Sequence, residues 1–364
     1  MTKQKIIVSV TNDLSTDQRV DKICNTLLEL NFEVLLVGRH LPESKNIDRL
    51  YSTKRFKLWF NKGALFYASY NTRLFIFLLF SKFDVLWSND LDTLLANYRA
   101  SKWKNKKLIF DSHEYFTEVP ELIDRPKVQR FWKRIEQKIV PNLTNILTVS
   151  QSIVNLYQKE YNIEVKLLRN VPLLKKHKID VENIKIEGKR TLIYQGAINV
   201  NRGIEHMIEA MHYIDNSILY ILGKGDISTK IADLISELKL EEKVKMLGEI
   251  PLEKLHGYTK QADLGLSLEE DKGLNYRFAL PNKLFDYIHA GLPVLVADLP
   301  EMKNLVVNYQ LGEVLEKNEP KQIAEKIKAM LNNDVQMKFW SENAKNTALK
   351  LNWEKEKHVI ADLF

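Results

Sequence analysis

The chain has 364 residues, a formal net charge of +7 and a pI near 9.0, with 45% hydrophobic and 28% charged residues. That size gives room for about two cores, and the composition excludes a disordered or disulfide-stapled chain. A single cysteine, Cys24, rules out an internal disulfide or a thiolate metal site and points to a reducing compartment.

Met1 to Lys5 lead directly into a predicted strand, Ile6 to Val10, so no secretory signal is read and a cytoplasmic protein is expected. Cys24 falls in the helical pattern Val20, Ile23, Leu27, Leu28 and reads as buried packing. Further strands are predicted at 34–37, 85–87, 108–110 and 146–149, then at 191–194, 218–222, 244–247, 264–268 and 294–296. Helical patterns alternate with them, which predicts an α/β chain with two parallel sheets. Asn170-Val171-Pro172 opens a charged, irregular run through Lys175, Lys176, His177 and Lys178. The expected division is a first domain at 1–170, a linker at 171–188, a second domain at 189–350 and a terminal helix at 351–364. The longest apolar stretch, Leu74 to Phe80, is far short of the ~20 residues of a spanning helix.

The segment Leu280 to Val294 reads as a loop, a helix N-terminus, a Gly291-Leu292-Pro293 stop and a buried strand. Pro281 pre-sets the backbone for helix entry and Asn282 is expected to cap the first amides. Those amides suit a phosphate, Lys283 adds a cation, and Asp286, a turn further on, suits sugar hydroxyls. A second anion site is predicted after the strand ending at Tyr194. There Gly196 lets backbone approach a diphosphate and Arg202 offers two donors ahead of a helix. Gly223 and Gly225 suit another tight strand-to-helix turn lining the same cleft. In the first half, His113 and Glu114 follow a strand, where a neutral imidazole could bind a hydroxyl or relay a proton. Asp17 reads as a helix cap, with Arg19 in a local ion pair, and the acidic run Glu269-Glu270-Asp271 reads mainly as solvated.

These segments resemble glycosyltransferase family 4, whose members have the GT-B fold of two Rossmann-like, doubly wound parallel-sheet domains facing a central cleft. The resemblance implies a retaining, metal-independent transferase of the hexosyltransferase type, moving a sugar from a nucleotide-diphosphate donor to a glycan or lipid-linked acceptor in surface polysaccharide biosynthesis. It implies no cofactor. Donor-binding residues would be Gly196, Arg202, Gly223, Gly225, Asn282, Lys283, Leu284 and Asp286, with the last aligned to the family's ribose-binding glutamate. The catalytic set would be His113, Arg202 and Lys283, and the acceptor side Asn12, Asp17 and Glu114. The terminal helix would pack back on the first domain. Three departures stand out: Ala197 where the family has an arginine, Phe278 at or near its first glutamate, and no glycines in the 11–20 loop. Glu269, Glu270 or Asp271 are stand-ins for that glutamate.

Asp90-Leu91-Asp92 looks like the metal-binding pair of the other main glycosyltransferase fold, but its place at a helix start assigns it to capping and dipole stabilisation. Lys54 to Phe83 interleaves cations with aromatics, and Leu65 to Phe80 within it is read as core helix beneath the first sheet, with a basic rim able to touch an anionic membrane at its inner face. The positive charge favours anionic partners, and with no recognised motif nucleic acid is not among them. Two other readings keep the same donor: a nucleotide-sugar 2-epimerase of this fold, and a catalytically silent sugar-nucleotide-binding partner.

Overall fold

The computed structural model describes residues 3–15, 17–42, 44–174 and 179–364. Thr16 of the acceptor-side loop and Lys175 to Lys178 of the expected linker lie outside the described residues. The chain divides into two compact units, Met1–Asn170 with Glu356–Phe364, and Val171–Lys355.

In the first unit, seven strands among the described residues form one parallel sheet in the order β3-β2-β1-β4-β5-β6-β7. These are β1 (Lys5–Asp13), β2 (Glu33–His40), β3 (Ser52–Lys57), β4 (Val85–Asn89), β5 (Lys107–Ser112), β6 (Ile146–Thr148) and β7 (Lys166–Leu167). β1 is covered on both faces, so Ile6, Ile7 and Val8 are a continuous apolar run. Helix α1 (Gln18–Glu29) starts where the Asp17 carboxylate accepts the Val20 amide at 3.1 Å, and it buries Val20, Ile23, Cys24 and Leu27. Strand order reverses between β1 and β4, which opens a crevice at their C-terminal ends.

The expectation of a core helix near Leu65 to Phe80 is corrected. Helix α2 (Gly63–Phe80) buries only Phe66, Tyr70, Leu74 and Leu78. Leu65, Ile76 and Phe80 stay exposed, the last at 87%, because a single stripe meets the sheet. Among the described residues α2 is, by length and composition, long and apolar enough to cross a membrane. Helix α3 (Asp90–Lys104) follows β4 and packs beside α2. The end of the chain forms two short turns, Trp353–Glu356 and His358–Ala361, rather than one helix. In the first unit Phe364 rests on Phe32 at 4.5 Å, Lys357 pairs with Glu29 at 2.5 Å, and Arg169 pairs with Glu356 at 2.7 Å.

In the second unit, six strands among the described residues form a parallel sheet in the order β10-β9-β8-β11-β12-β13. They are β8 (Arg190–Gln195), β9 (Ser217–Leu222), β10 (Val244–Gly248), β11 (Leu264–Ser267), β12 (Val294–Ala297) and β13 (Gly312–Leu315). Leu192, Tyr194, Ile204, Met207, Leu219, Leu266 and Ile323 build its core. Here the order reverses between β8 and β11, so the residues just after those two strands flank the switch point.

Candidate functional site

The loop after β8 carries Gly196 and Arg202, and the loop after β11 carries Glu269. Glu269 is the group that joins them. Its Oε1 accepts Lys283 Nζ at 2.7 Å and lies 3.8 Å from the Arg202 guanidinium, while its Oε2 accepts the Ser267 hydroxyl at 2.7 Å. The carboxylate is buried; burial would push its pKa up, but Lys283 and Arg202 outweigh that and hold it below the ordinary value. The solvated reading of Glu269 is therefore corrected, whereas Glu270 and Asp271 remain partly exposed.

Lys283 Nζ lies 4.0 Å from the Tyr194 ring centroid, and a Cβ on Gly196 would stand 3.4 Å from Lys283 Cε. Arg202 lies over Tyr276 at 5.2 Å, and its buried Nε has no hydrogen-bond partner among the described residues. Gly196 and Arg202 thus form one cationic corner with Lys283, more than 80 residues further along the chain. Gly223 and Gly225 press on the same loop: a Cβ on Gly223 would sit 1.9 Å from the Gly196 carbonyl oxygen. One on Gly225 would sit 2.3 Å from that of Ile198.

The helix Asn282–Ala290 points its N-terminus into this corner. The expectation for Asn282 is corrected: Pro281 holds the cap position, Asn282 is the first helical residue, and no side chain caps the turn. Leu284 is also corrected as a ligand contact. Its side chain is wholly buried and its amide is used by the Pro281 carbonyl at 3.0 Å. Asp286 accepts the Gln195 amide at 2.8 Å, and Gln195 Oε1 in turn accepts the Thr259 hydroxyl at 2.6 Å. That buried relay fixes the Asp286 carboxylate, and neither Gln195 nor Thr259 carried a sequence signal beyond being polar in an apolar setting.

In the first unit, His113 follows β5 and is gripped from three sides. Its amide donates to Asp90 Oδ1 at 2.8 Å, its Nδ1 faces Asp90 Oδ2 at 3.3 Å, and its Nε2 lies 3.0 Å from Asn89 Oδ1 and 3.3 Å from Asp111 Oδ2. Burial opposes a charge here, yet Asp90 and Asp111 outweigh it and raise the histidine pKa to about 9. The neutral imidazole expected from sequence is replaced by an imidazolium, a donor only. Asp90 orients the ring. Arg19 is not in a local pair either: its guanidinium forks onto Asp111 at 2.7 and 3.1 Å and donates to the Leu168 carbonyl at 2.8 Å.

Asp90 and Asp92 do not act as side-chain caps of α3. Asp92 accepts the Thr11 hydroxyl at 2.5 Å, and burial followed by the Asp90 charge raises its pKa to about 8. Asp17 is spent on capping α1, Asn12 is exposed at the end of β1, and the Glu114 carbonyl accepts the Ser112 hydroxyl at 2.7 Å.

Comparison with known proteins places these features in a family. The profile "Glycosyltransferase Family 4" matches residues 17–172 and "Glycosyl transferases group 1" matches residues 175–347. The chain belongs to glycosyltransferase family 4. It is 23% identical over 283 residues to a chitobiosyldiphosphodolichol beta-mannosyltransferase of Candida albicans. That match takes in 69% of this chain and 60% of the relative's length, so the relative extends well beyond the shared part. Sucrose-phosphate synthase from Thermosynechococcus elongatus superposes with a TM-score of 0.82 at 16% identity, over 99% of this chain and 98% of that one. Anabaena HepE, solved with UDP-glucose, gives 0.76 at 14% identity over 99% and 98%. Both likenesses identify the fold of this family 4 chain as GT-B.

Proposed function

We propose that this chain is a retaining glycosyltransferase that moves a hexose from a nucleotide-diphosphate sugar to a hydroxyl of a glycan or lipid-linked saccharide during surface polysaccharide synthesis, on the cytoplasmic side of a membrane. The observation that carries this reading is the convergence of Lys283 and Arg202 on Glu269 beside Gly196, at the uncapped start of the 282–290 helix. Two cations and close backbone at a helix N-terminus suit a diphosphate. Asp286, fixed by Gln195, offers its carboxylate to ribose hydroxyls.

In the reaction the bond from the anomeric carbon to the diphosphate oxygen breaks and a bond to the acceptor oxygen forms on the same face. The acceptor proton passes to the leaving phosphate. Negative charge grows on the diphosphate, where Lys283, Arg202 and the helix amides oppose it without a metal. The His113 imidazolium, whose two ring N–H groups already face Asp90, Asn89 and Asp111, supplies a fixed positive charge rather than a base.

The exposed face of α2 supports a membrane-bound acceptor. Residues 51–83 hold six Lys or Arg and no Asp or Glu, and Trp59 is 96% exposed beside that helix. A cationic, aromatic face of this kind suits anionic lipid.

Incubation with a panel of nucleotide sugars, with and without candidate acceptors, tests the reading. Acceptor-dependent release of nucleoside diphosphate is expected. An isomerised donor without transfer would instead identify an epimerase, and binding without turnover a silent partner.

A further inference from the structure

We propose that Glu269 is a positioning residue for the diphosphate site, holding Lys283 and Arg202 as one preset charge centre beside Gly196. This rests on the donor-site reading above. The Glu269 side chain is fully buried and both its oxygens are occupied, so it does not reach a ligand itself and acts through the cations. Its backbone is fixed from two directions. The Asn318 amide donates to the Leu268 carbonyl at 2.8 Å, and the Glu270 amide donates to the Asn201 carbonyl at 3.0 Å. The loop bearing Arg202 is pressed against the same backbone, where a Cβ on Gly203 would stand only 2.0 Å from the Leu268 oxygen.

Glu269 therefore ties the loop after β8 to the start of the 282–290 helix. An untethered lysine or arginine loses rotamer freedom when it binds an anion; here that ordering precedes the ligand. Two cations on one carboxylate leave a single net positive charge, with the partly exposed Arg202 side chain able to present it to a phosphate. The arrangement also gives a physical reason for Ala197: the corner is built from the two cations Glu269 can hold.

The test is calorimetric titration of the full chain with UDP, GDP and ADP, using wild type, Glu269→Gln, Glu269→Asp, Lys283→Ala and the Glu269→Gln/Lys283→Ala double variant. Glu269→Gln is expected to weaken the preferred diphosphate about tenfold or more, as loss of a charge-assisted hydrogen bond does. Glu269→Asp should recover part of it, and the double variant should bind no more weakly than Lys283→Ala alone. Equal or tighter binding by Glu269→Gln, or a loss that adds in full to that of Lys283→Ala, overturns the proposal. Thermal unfolding checks that each variant folds. If Glu269→Gln does not, Ser267→Ala frees only Oε2 and should give a smaller loss, with unchanged affinity counting against the idea. A wild-type chain that binds no diphosphate overturns the donor-site reading as well; binding with unmoved Glu269 variants overturns this one alone.

Discussion

Asp90 holds His113 twice, through the backbone amide at 2.8 Å and through ring Nδ1 at 3.3 Å. Asp90 itself adopts φ +56, a left-handed conformation uncommon for aspartate, at the first residue of α3. Replacing it with asparagine keeps an oxygen for the amide but removes the charge that stabilises the imidazolium. In Asp90→Asn the ring should titrate well below the wild-type value of about 9, as followed by proton NMR of the histidine. Turnover should fall about tenfold with loss of that fixed charge. An unmoved titration would show that Asp111 alone sets the charge.

Stability of the first unit should fall with rising pH. His113 is raised to about 9 from an ordinary 6.5, so its contribution is complete below about 6.5 and is lost as pH rises through 9. Asp92 is raised to about 8 from 3.8; the unfolded chain releases this proton first, and stability is lost from about pH 4 up to 8. Urea midpoints of the wild type should therefore drop between pH 6 and 9. Asp92→Asn should flatten the part below pH 8, and a midpoint that climbs over this range would contradict both assignments.

The cationic corner makes a separate prediction. Lys283→Ala and Arg202→Ala should each weaken nucleoside diphosphate binding by about tenfold, measured by calorimetry at fixed salt. Lys283→Ala carries a second effect because it strands the buried Glu269 carboxylate. Its second unit should melt at lower temperature than that of Arg202→Ala.

Gly203 has φ +69, and an added Cβ would meet the Leu268 oxygen at 2.0 Å, so neither the backbone nor the space tolerates a side chain. Gly203→Ala should destabilise the second unit by about 2 kcal/mol or more and displace Arg202. Gly63→Ala is a control for the backbone part, since Gly63 has φ +71 but nothing within 4 Å of an added Cβ. A Gly203→Ala melting temperature no lower than that of the control would refute the close approach.

Membrane contact through α2 is tested by flotation with vesicles. Trp59→Ser and Phe80→Ser together should reduce binding to anionic vesicles severalfold, leaving both uncharged vesicles and nucleotide affinity unaffected. Binding that persists in the double variant would move the contact to another surface.

Nine of the ten strands legible in the sequence lie inside their sheets, where parallel strands must be largely apolar, and the tenth, the edge strand β10, announces itself through Val244, Met246 and Leu247. β3, β7 and β13, the other edge strands, carry too little apolar sequence to stand out: Ser52–Lys57 buries little besides Phe56, and Lys166–Leu167 is only two residues long. At the site, Gly196, Arg202 and Lys283 could be found because turns and helix starts announce themselves locally. Glu269 could not. A carboxylate in an acidic run looks solvated until the fold shows that two cations from distant loops surround it. Arg19 and Asp111, 92 residues apart, were hidden for the same reason.

Cys24, wholly enclosed on the inner face of α1 with its thiol pKa pushed far up by burial, should leave the native chain blank to maleimide reagents. A pair of engineered surface thiols, one on each unit, would then be the sole labelling points for fluorophores. Energy transfer between them could follow the separation of the two halves as donor is added, with no need to remove a native cysteine first.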